Sequence, residues 1–206
     1  QGFTGLDCES GPGIVGAPAT DGAIPCCPRQ SGQGPIALRE SVKVGMLDGR
    51  IVLVLGGSSG MGRATAQALA RHGAQVVVAA RRGALCEEVV EGIRAAGGRA
   101  SAAPVDVTDA QAVATLFAGI ERDYGRLDGA FNNVGRTLGS SPTHETAPER
   151  FAQTLEINLV AVFRCLQHEI RLMRAQGGGG AIVNNSSIGG TRGFAFSSGL
   201  GAEATL

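Results

Sequence analysis

From Arg50 onward, apolar runs of strand length alternate with stretches of helical period. Ile51–Leu55 is an uninterrupted apolar run closed by glycine, the pattern of a short strand covered on both faces. Residues 60–72 are rich in Ala and Leu and stop at Gly73, which predicts a helix. Gln75–Ala80 reads as a second buried strand. A helix follows from about Ala84 to Ala96, with Cys86, Val89, Val90 and Ile93 on one side. Ser101–Val105 is a weaker strand. Thr108 and Gln111 then have the spacing of a capping box, and Val113, Leu116, Phe117 and Ile120 continue at helical intervals. Leu127–Asn132 predicts a fourth strand. The last helix is expected from about Pro148 to Ala175, with Leu155, Leu159, Val162, Phe163, Leu166, Ile170 and Met173 as its apolar set. Gly177–Gly180 ends it, and Ala181–Asn185 is a fifth strand.

Strands and helices alternating in this way imply right-handed βαβ crossovers and a parallel sheet covered by helices on both sides. The expected class is α/β, a Rossmann-like doubly wound sheet that breaks off after about the fifth strand. Outside that region the pattern fails. Residues 1–45 show neither strand nor helix period, and segments such as Gly11-Pro12-Gly13 and Pro25-Cys26-Cys27-Pro28 give them the composition of a disordered Gly/Pro-rich extension. Met46-Leu47-Asp48-Gly49-Arg50 resembles the natural start of a domain, here placed over residues 46–192. Residues 193–206 are small and rich in Gly, Ala and Ser.

Composition narrows the function. Acidic and basic side chains balance at 18 each, so the chain lacks the basic field of a nucleic-acid surface. Glycine occupies 33 of 206 positions, about twice the usual share of ~7%, an excess that points to disordered tracts and tight backbone turns. No run approaches the length needed to span a bilayer, and no signal-peptide pattern stands at the N-terminus. The five cysteines, Cys8, Cys26, Cys27, Cys86 and Cys165, show no metal-ligand spacing. A reducing, cytoplasmic setting is expected, without a bound metal.

Directly after the first strand comes Leu55-Gly56-Gly57-Ser58-Ser59-Gly60-Met61-Gly62, opening into a helix. Glycines there permit a tight turn and let backbone amides at a helix N-terminus approach a pyrophosphate. The spacing is Gly-xxx-Gly-x-Gly. The segment resembles the TGxxxGxG motif of the short-chain dehydrogenase/reductase family, with Leu55 in place of threonine. Further stretches match in order: Val76–Arg82, Asp106-Val107, Asn132-Asn133-Val134-Gly135 (resembling NNAG), Asn158, and Asn184–Ile188. The resemblance covers about residues 46–198. It implies that Gly56, Ser58, Ser59, Gly60, Met61 and Gly62 cradle the diphosphate of a nicotinamide dinucleotide. It also implies that Asp106 and Val107 meet the adenine, and that Asn133 and Gly135 support the nicotinamide side.

Where an acidic residue would select NAD(H), Ala80 stands instead, followed by Arg81 and Arg82. Guanidinium groups there suit a 2′-phosphate, so NADP(H) is expected in preference to NAD(H). The family transfers hydride between nicotinamide and a carbonyl or alcohol, and the resemblance gives Ser187 and Asn158 two of its catalytic roles. A tyrosine and a lysine complete the set. Those positions fall on Leu200 and Ala204, while the only tyrosine is Tyr124 and the only lysine is Lys43. His144 lies in a polar loop and reads as idle.

The chain is therefore expected to be an oxidoreductase by resemblance, inactive as it stands, with its C-terminus truncated or out of frame. The alternatives are an NADP(H)-binding pseudoenzyme and a non-functional translation product. Family tetramers form through the long helix and the one after it, and having only the former counts against that assembly. The substrate is not legible.

Overall fold

The computed structural model describes residues 45–137, 139 and 141–187, all within one compact unit. Residues 1–44 of the expected extension, with Lys43, and the tail 193–206, with Leu200 and Ala204, lie outside the described residues.

Five strands form one sheet: β1 (Ile51–Leu55), β2 (Gln75–Ala80), β3 (Arg99–Pro104), β4 (Gly129–Asn132) and β5 (Ala181–Asn184). Their order is β3-β2-β1-β4-β5, and every pairing is parallel. In register, Leu53 faces Val77 on one side and Ala130 on the other, and Ala130 faces Ile182. Between the strands run α1 (Gly60–Arg71), α2 (Gly83–Ala95), α3 (Ala110–Tyr124), α4 (Pro148–Leu155) and α5 (Ala161–Ala175).

The central strand shows why the sheet is covered twice. Side chains alternate between faces, and both alternate sets of β1 are apolar. Val52 and Val54 join Ala66 and Ala70 of α1 and Cys86, Val89, Val90 and Ile93 of α2. Leu53 and Leu55 join Val113, Phe117 and Ile120 of α3 and Ala161, Cys165 and Met173 of α5. The chain adds strands on one side of β1 and then returns to the other. That reversal opens a crevice at the C-terminal ends of β1 and β4, where ligands of such sheets bind.

Four expectations need correction. The helix at 110 is capped by Asp109, whose Oδ1 accepts from the amides of Gln111 (2.8 Å) and Ala112 (3.1 Å). The Thr108–Gln111 capping box does not form, because the Thr108 amide and hydroxyl both donate to Asp106. β3 begins at Arg99 and ends at Pro104, in step with the whole length of β2. β4 begins only at Gly129. Leu127 is drawn aside by Gln176, which bonds its amide (2.8 Å) and its carbonyl (2.9 Å). Finally, the long helix is not continuous: a π turn, Glu156–Val160, separates α4 from α5.

The buried column of α5 also departs from its apolar set. Ala161, Cys165, Glu169 and Met173 face the sheet, whereas Phe163 and Ile170 are exposed. Among the described residues no helix is long and apolar enough to cross a membrane.

At the N-terminal end of the sheet, Asp128 accepts from Arg126, from Arg50 (2.8 Å) and from the amide of Ile51 (2.9 Å). Burial alone would raise its carboxyl, but these donors outweigh burial and hold it at about 2, below the usual 3.8. A depressed carboxyl contributes stability that is present above its unfolded value and disappears as pH falls through the folded one. Wild-type stability should therefore drop between about pH 4 and 2. Asp128→Ala should lose about 1–3 kcal/mol at neutral pH and much of that acid limb, measured by urea unfolding across the range. An acid limb of unchanged depth in the variant would contradict this account.

Candidate functional site

The loop leaving β1 turns sharply because Gly56 has φ +75°, a left-handed conformation that side chains resist. The Gly56 amide donates to Ala79 O (2.8 Å), which hangs the turn from β2. A Cβ on Gly56 would lie 2.5 Å from the Asn133 carbonyl, and one on Gly57 would lie 2.9 Å from Val78. A Cβ on Gly62 would collide with the Gly56 carbonyl. These absences of side chain let α1 begin against the strand ends.

Ser59 is the N-cap of α1, yet its side chain makes no capping bond. The first-turn amides of Gly60, Met61 and Gly62 have no intrahelical acceptor, a general property of helix starts that makes them anion donors. The Ser59 hydroxyl instead accepts from Arg82 at 2.9 Å, with Ser58 Oγ at 3.4 Å from the same nitrogen. Arg82 thus arches from the end of β2 over the loop. Arg81 lines the same cleft and is exposed.

The cleft holds about 570 Å³ and is walled by the C-terminal ends of β2, β4 and β5 and by the loops that follow β1 and β3. Its β3 side carries Asp106 and Val107. The Asp106 carboxylate folds back onto the Thr108 amide (3.0 Å) and hydroxyl (2.8 Å), and those bonds, the amide first, hold it below the usual carboxylate range. Val107 is buried, and its carbonyl accepts from Arg164 at 3.0 Å. Arg164 also reaches Glu156 (3.3 Å), so it ties this loop to the π turn.

The β4 side carries a polar ladder. The Asn133 side chain donates to Gly56 O (3.5 Å) and accepts from Asn185 Nδ2 (2.8 Å). Asn132, buried, donates to Asn184 Oδ1 (2.9 Å) and to Glu169 (3.1 Å). Asn158 sits within the π turn beside Gly135, where an added Cβ would make only an ordinary contact, 3.7 Å from Asn158 Oδ1. Both polar atoms of Asn158 are engaged with Arg136, accepting from its amide at 2.7 Å and donating to its carbonyl at 3.0 Å. A π turn displaces one residue outward and is frequent at functional sites. Ser186 and Ser187 border the cleft beside Asn185.

Of the expected site residues that are described, all but Gly62 therefore line one cleft; Gly62 is buried against the Gly56 carbonyl behind the loop. Tyr124 does not line the cleft. Its hydroxyl pairs with Ser101 Oγ (2.9 Å) and Gln75 Nε2 (3.4 Å), and Gln75 opens β2, at the far end of the sheet. His144 is exposed beside Glu145 and does not line the cleft. Sequence reasoning did not single out Arg164, Asn185 or Glu169. For Glu169 a signal existed, since it stands one turn from both Cys165 and Met173, at a position that must face the sheet.

The profile of the family described as short chain dehydrogenase matches residues 50–202. The chain is 41% identical over 151 residues to a 3beta-hydroxysteroid dehydrogenase of Mediterraneibacter gnavus, covering 73% of this chain and 54% of that protein. It is 43% identical over 147 residues to an A-factor type gamma-butyrolactone 1'-reductase (1S-forming) of Streptomyces virginiae, covering 71% and 57%. It thus spans little more than half the length of these relatives. Among solved structures, a short chain dehydrogenase from Mycobacterium smegmatis superposes with a TM-score of 0.74 at 32% identity, covering 78% of this chain and 68% of that one. An NAD+-bound xylitol dehydrogenase gives a TM-score of 0.75 at 29% identity, covering 78% and 61%. Ordered motifs, strand order and likeness across these proteins agree, and the chain belongs to the short-chain dehydrogenase/reductase family.

Proposed function

We propose that this chain is the dinucleotide-binding part of an NADP(H)-linked oxidoreductase acting on a carbonyl or alcohol, and that as it stands it binds NADP(H) without turnover. The observation that carries the cofactor choice is Arg82 bonded to Ser59 and close to Ser58, with Ala80 where an acid would repel a 2′-phosphate. A diphosphate would sit on the first-turn amides of α1, the 2′-phosphate beside Arg82 and Arg81, and the adenine between Asp106 and Val107. Asn133 and Gly135 would support the nicotinamide side. The nicotinamide supplies hydride chemistry when bound.

The relatives bear dehydrogenase and reductase names, which supports the reaction class. Ser187 would orient a substrate oxygen, and Asn158 would serve the proton path, here by holding the Arg136 main chain in place. No group of the chain matches the family's tyrosine and lysine: Leu200 offers no proton and Ala204 no charge. Missing acid–base catalysis costs about 10²–10⁴-fold in rate.

NADPH should bind at least about tenfold more tightly than NADH, as expected when a charge-assisted contact worth about 1.5–3 kcal/mol is gained. Arg82→Ala should remove most of that advantage while leaving NADH affinity within about a factor of three. Calorimetric titration of both cofactors into both proteins measures this, and equal affinities in the wild type would refute the preference.

Mixed with NADPH and a panel of ketones and lactones, the chain should oxidise no cofactor above background, followed by the loss of nicotinamide absorbance. Sustained oxidation would show that some other group supplies the proton.

A further inference from the structure

Among the described residues Glu169 is the one carboxylate in the buried set, with none of its surface exposed. Its Oε2 accepts from Asn132 Nδ2 at 3.1 Å, and the same amide group donates to Asn184 Oδ1. Two buried atoms of this pair are left without a partner: Glu169 Oε1 and Asn132 Oδ1. If the carboxyl were ionised, both would be acceptors enclosed without a donor, which folded proteins avoid. A proton on Oε1 would make it a donor, and Oδ1 is the acceptor left open on the same amide that bonds Oε2. An Oε1–H bond to Oδ1 beside the Nδ2–H bond to Oε2 would be the reciprocal pairing of a carboxylic acid with a primary amide.

Among the described residues, the surroundings of Glu169 offer no counter-charge. From β4 Glu169 meets Asn132, which connects it to Asn184 of β5, and from its own helix it meets Cys165. The Cys165 thiol is pushed up to about 12, by burial first and by Glu169 second, so it stays uncharged. His168 stacks on Phe117 of α3, with ring centres 5.1 Å apart, and burial lowers it towards the neutral form. Arg164 is engaged with Val107, Thr108 and Glu156. Among the described residues no arginine, lysine or histidine forms an ion pair with Glu169.

We propose that Glu169 is a neutral carboxylic acid joined through both oxygens to the Asn132 amide, and that this pair positions the ends of β4 and β5 at the cleft. Asn132 and Asn184 line the cleft themselves. The residues that follow them, Asn133 and Asn185, bond each other, and Asn185 leads directly to Ser186 and Ser187. Glu169 touches none of the cleft and acts through Asn132, as a positioning residue.

Burial raises the Glu169 carboxyl to about 7 from an ordinary 4.5, opposed by the Asn132 bond. The sign follows from linkage: a folded-state value above the unfolded one gives a contribution that is complete below 4.5 and is lost as pH rises through about 7. Glutamine reproduces the neutral acid, because its amide both donates and accepts.

In the wild-type chain, the carbon-13 resonance of the Glu169 carboxyl, assigned by its disappearance in Glu169→Gln, should titrate near 7. A midpoint in the ordinary carboxylate range would overturn the proposal. Relative to Glu169→Gln, the wild-type unfolding constant should grow by up to about tenfold per pH unit between 4.5 and about 7, then run parallel. Curves parallel throughout would overturn it too, as would a Glu169→Gln chain that fails to fold. Glu169→Leu fills similar space without the pairing. It should shift the side-chain amide resonances of Asn133 and Asn185, which Glu169→Gln leaves in place; equal effects of the two variants would reduce Glu169 to a space-filler. No cofactor enters these measurements, so their outcome is independent of the dinucleotide assignment.

Discussion

Gly62 lies so close to the Gly56 carbonyl that no side chain fits between them, and the position of α1 against β1 follows from that contact. A helix that starts this near a strand end aims its unpaired amides into the crevice left where the sheet reverses direction. Gly56 supplies the left-handed turn, and the shelter of Val54 and Val78 around Gly57 keeps the loop flat against the sheet. The remaining walls of the cleft are hung from this fixed point: Asn133 donates to the Gly56 carbonyl, and Arg82 closes over Ser58 and Ser59 from the neighbouring strand.

Around that point two kinds of material build the cleft. On the β1–β2 side, main-chain atoms dominate, spanned by the cationic arch of Arg82 over Ser58 and Ser59. On the β4–β5 side, two adjacent pairs of asparagines at strand ends, Asn132–Asn133 and Asn184–Asn185, form a ladder of hydrogen bonds. Amides both donate and accept, so such a ladder can be satisfied internally at a wet surface and still offer atoms to a ligand. Glu169 anchors the ladder where water is excluded.

The sheet was legible because its signal is local and redundant. Both alternate faces of Ile51–Leu55 are apolar, so the strand reads as buried twice, and Gly73 and Gly177–Gly180 punctuate the helices in plain view. The glycine loop was legible for the same reason, since its chemistry depends on missing side chains. What escaped depended on distant partners. Thr108 has the spacing of a cap, but Asp106 captures its amide and hydroxyl, and Asp109 caps the helix instead. Leu127 belongs by pattern to β4, but Gln176 holds its amide and carbonyl. The inward column of α5 was only partly legible from hydrophobicity: Met173 belonged to the apolar set, but Ala161, Cys165 and Glu169 did not, while Phe163 and Ile170 face out.

The π turn at Glu156–Val160 has a bearing on how this segment tolerates length changes. It holds one residue beyond what a regular helix needs, and the bulge absorbs that residue so that the turns on either side keep their phase. Deleting one residue there would close the bulge to regular spacing and leave the buried face of α4, with Thr154, where it is. What would be lost is the hold of Asn158 on the Arg136 main chain. A deletion within α4 or α5 has no such slack and would turn the residues beyond it by about 100°.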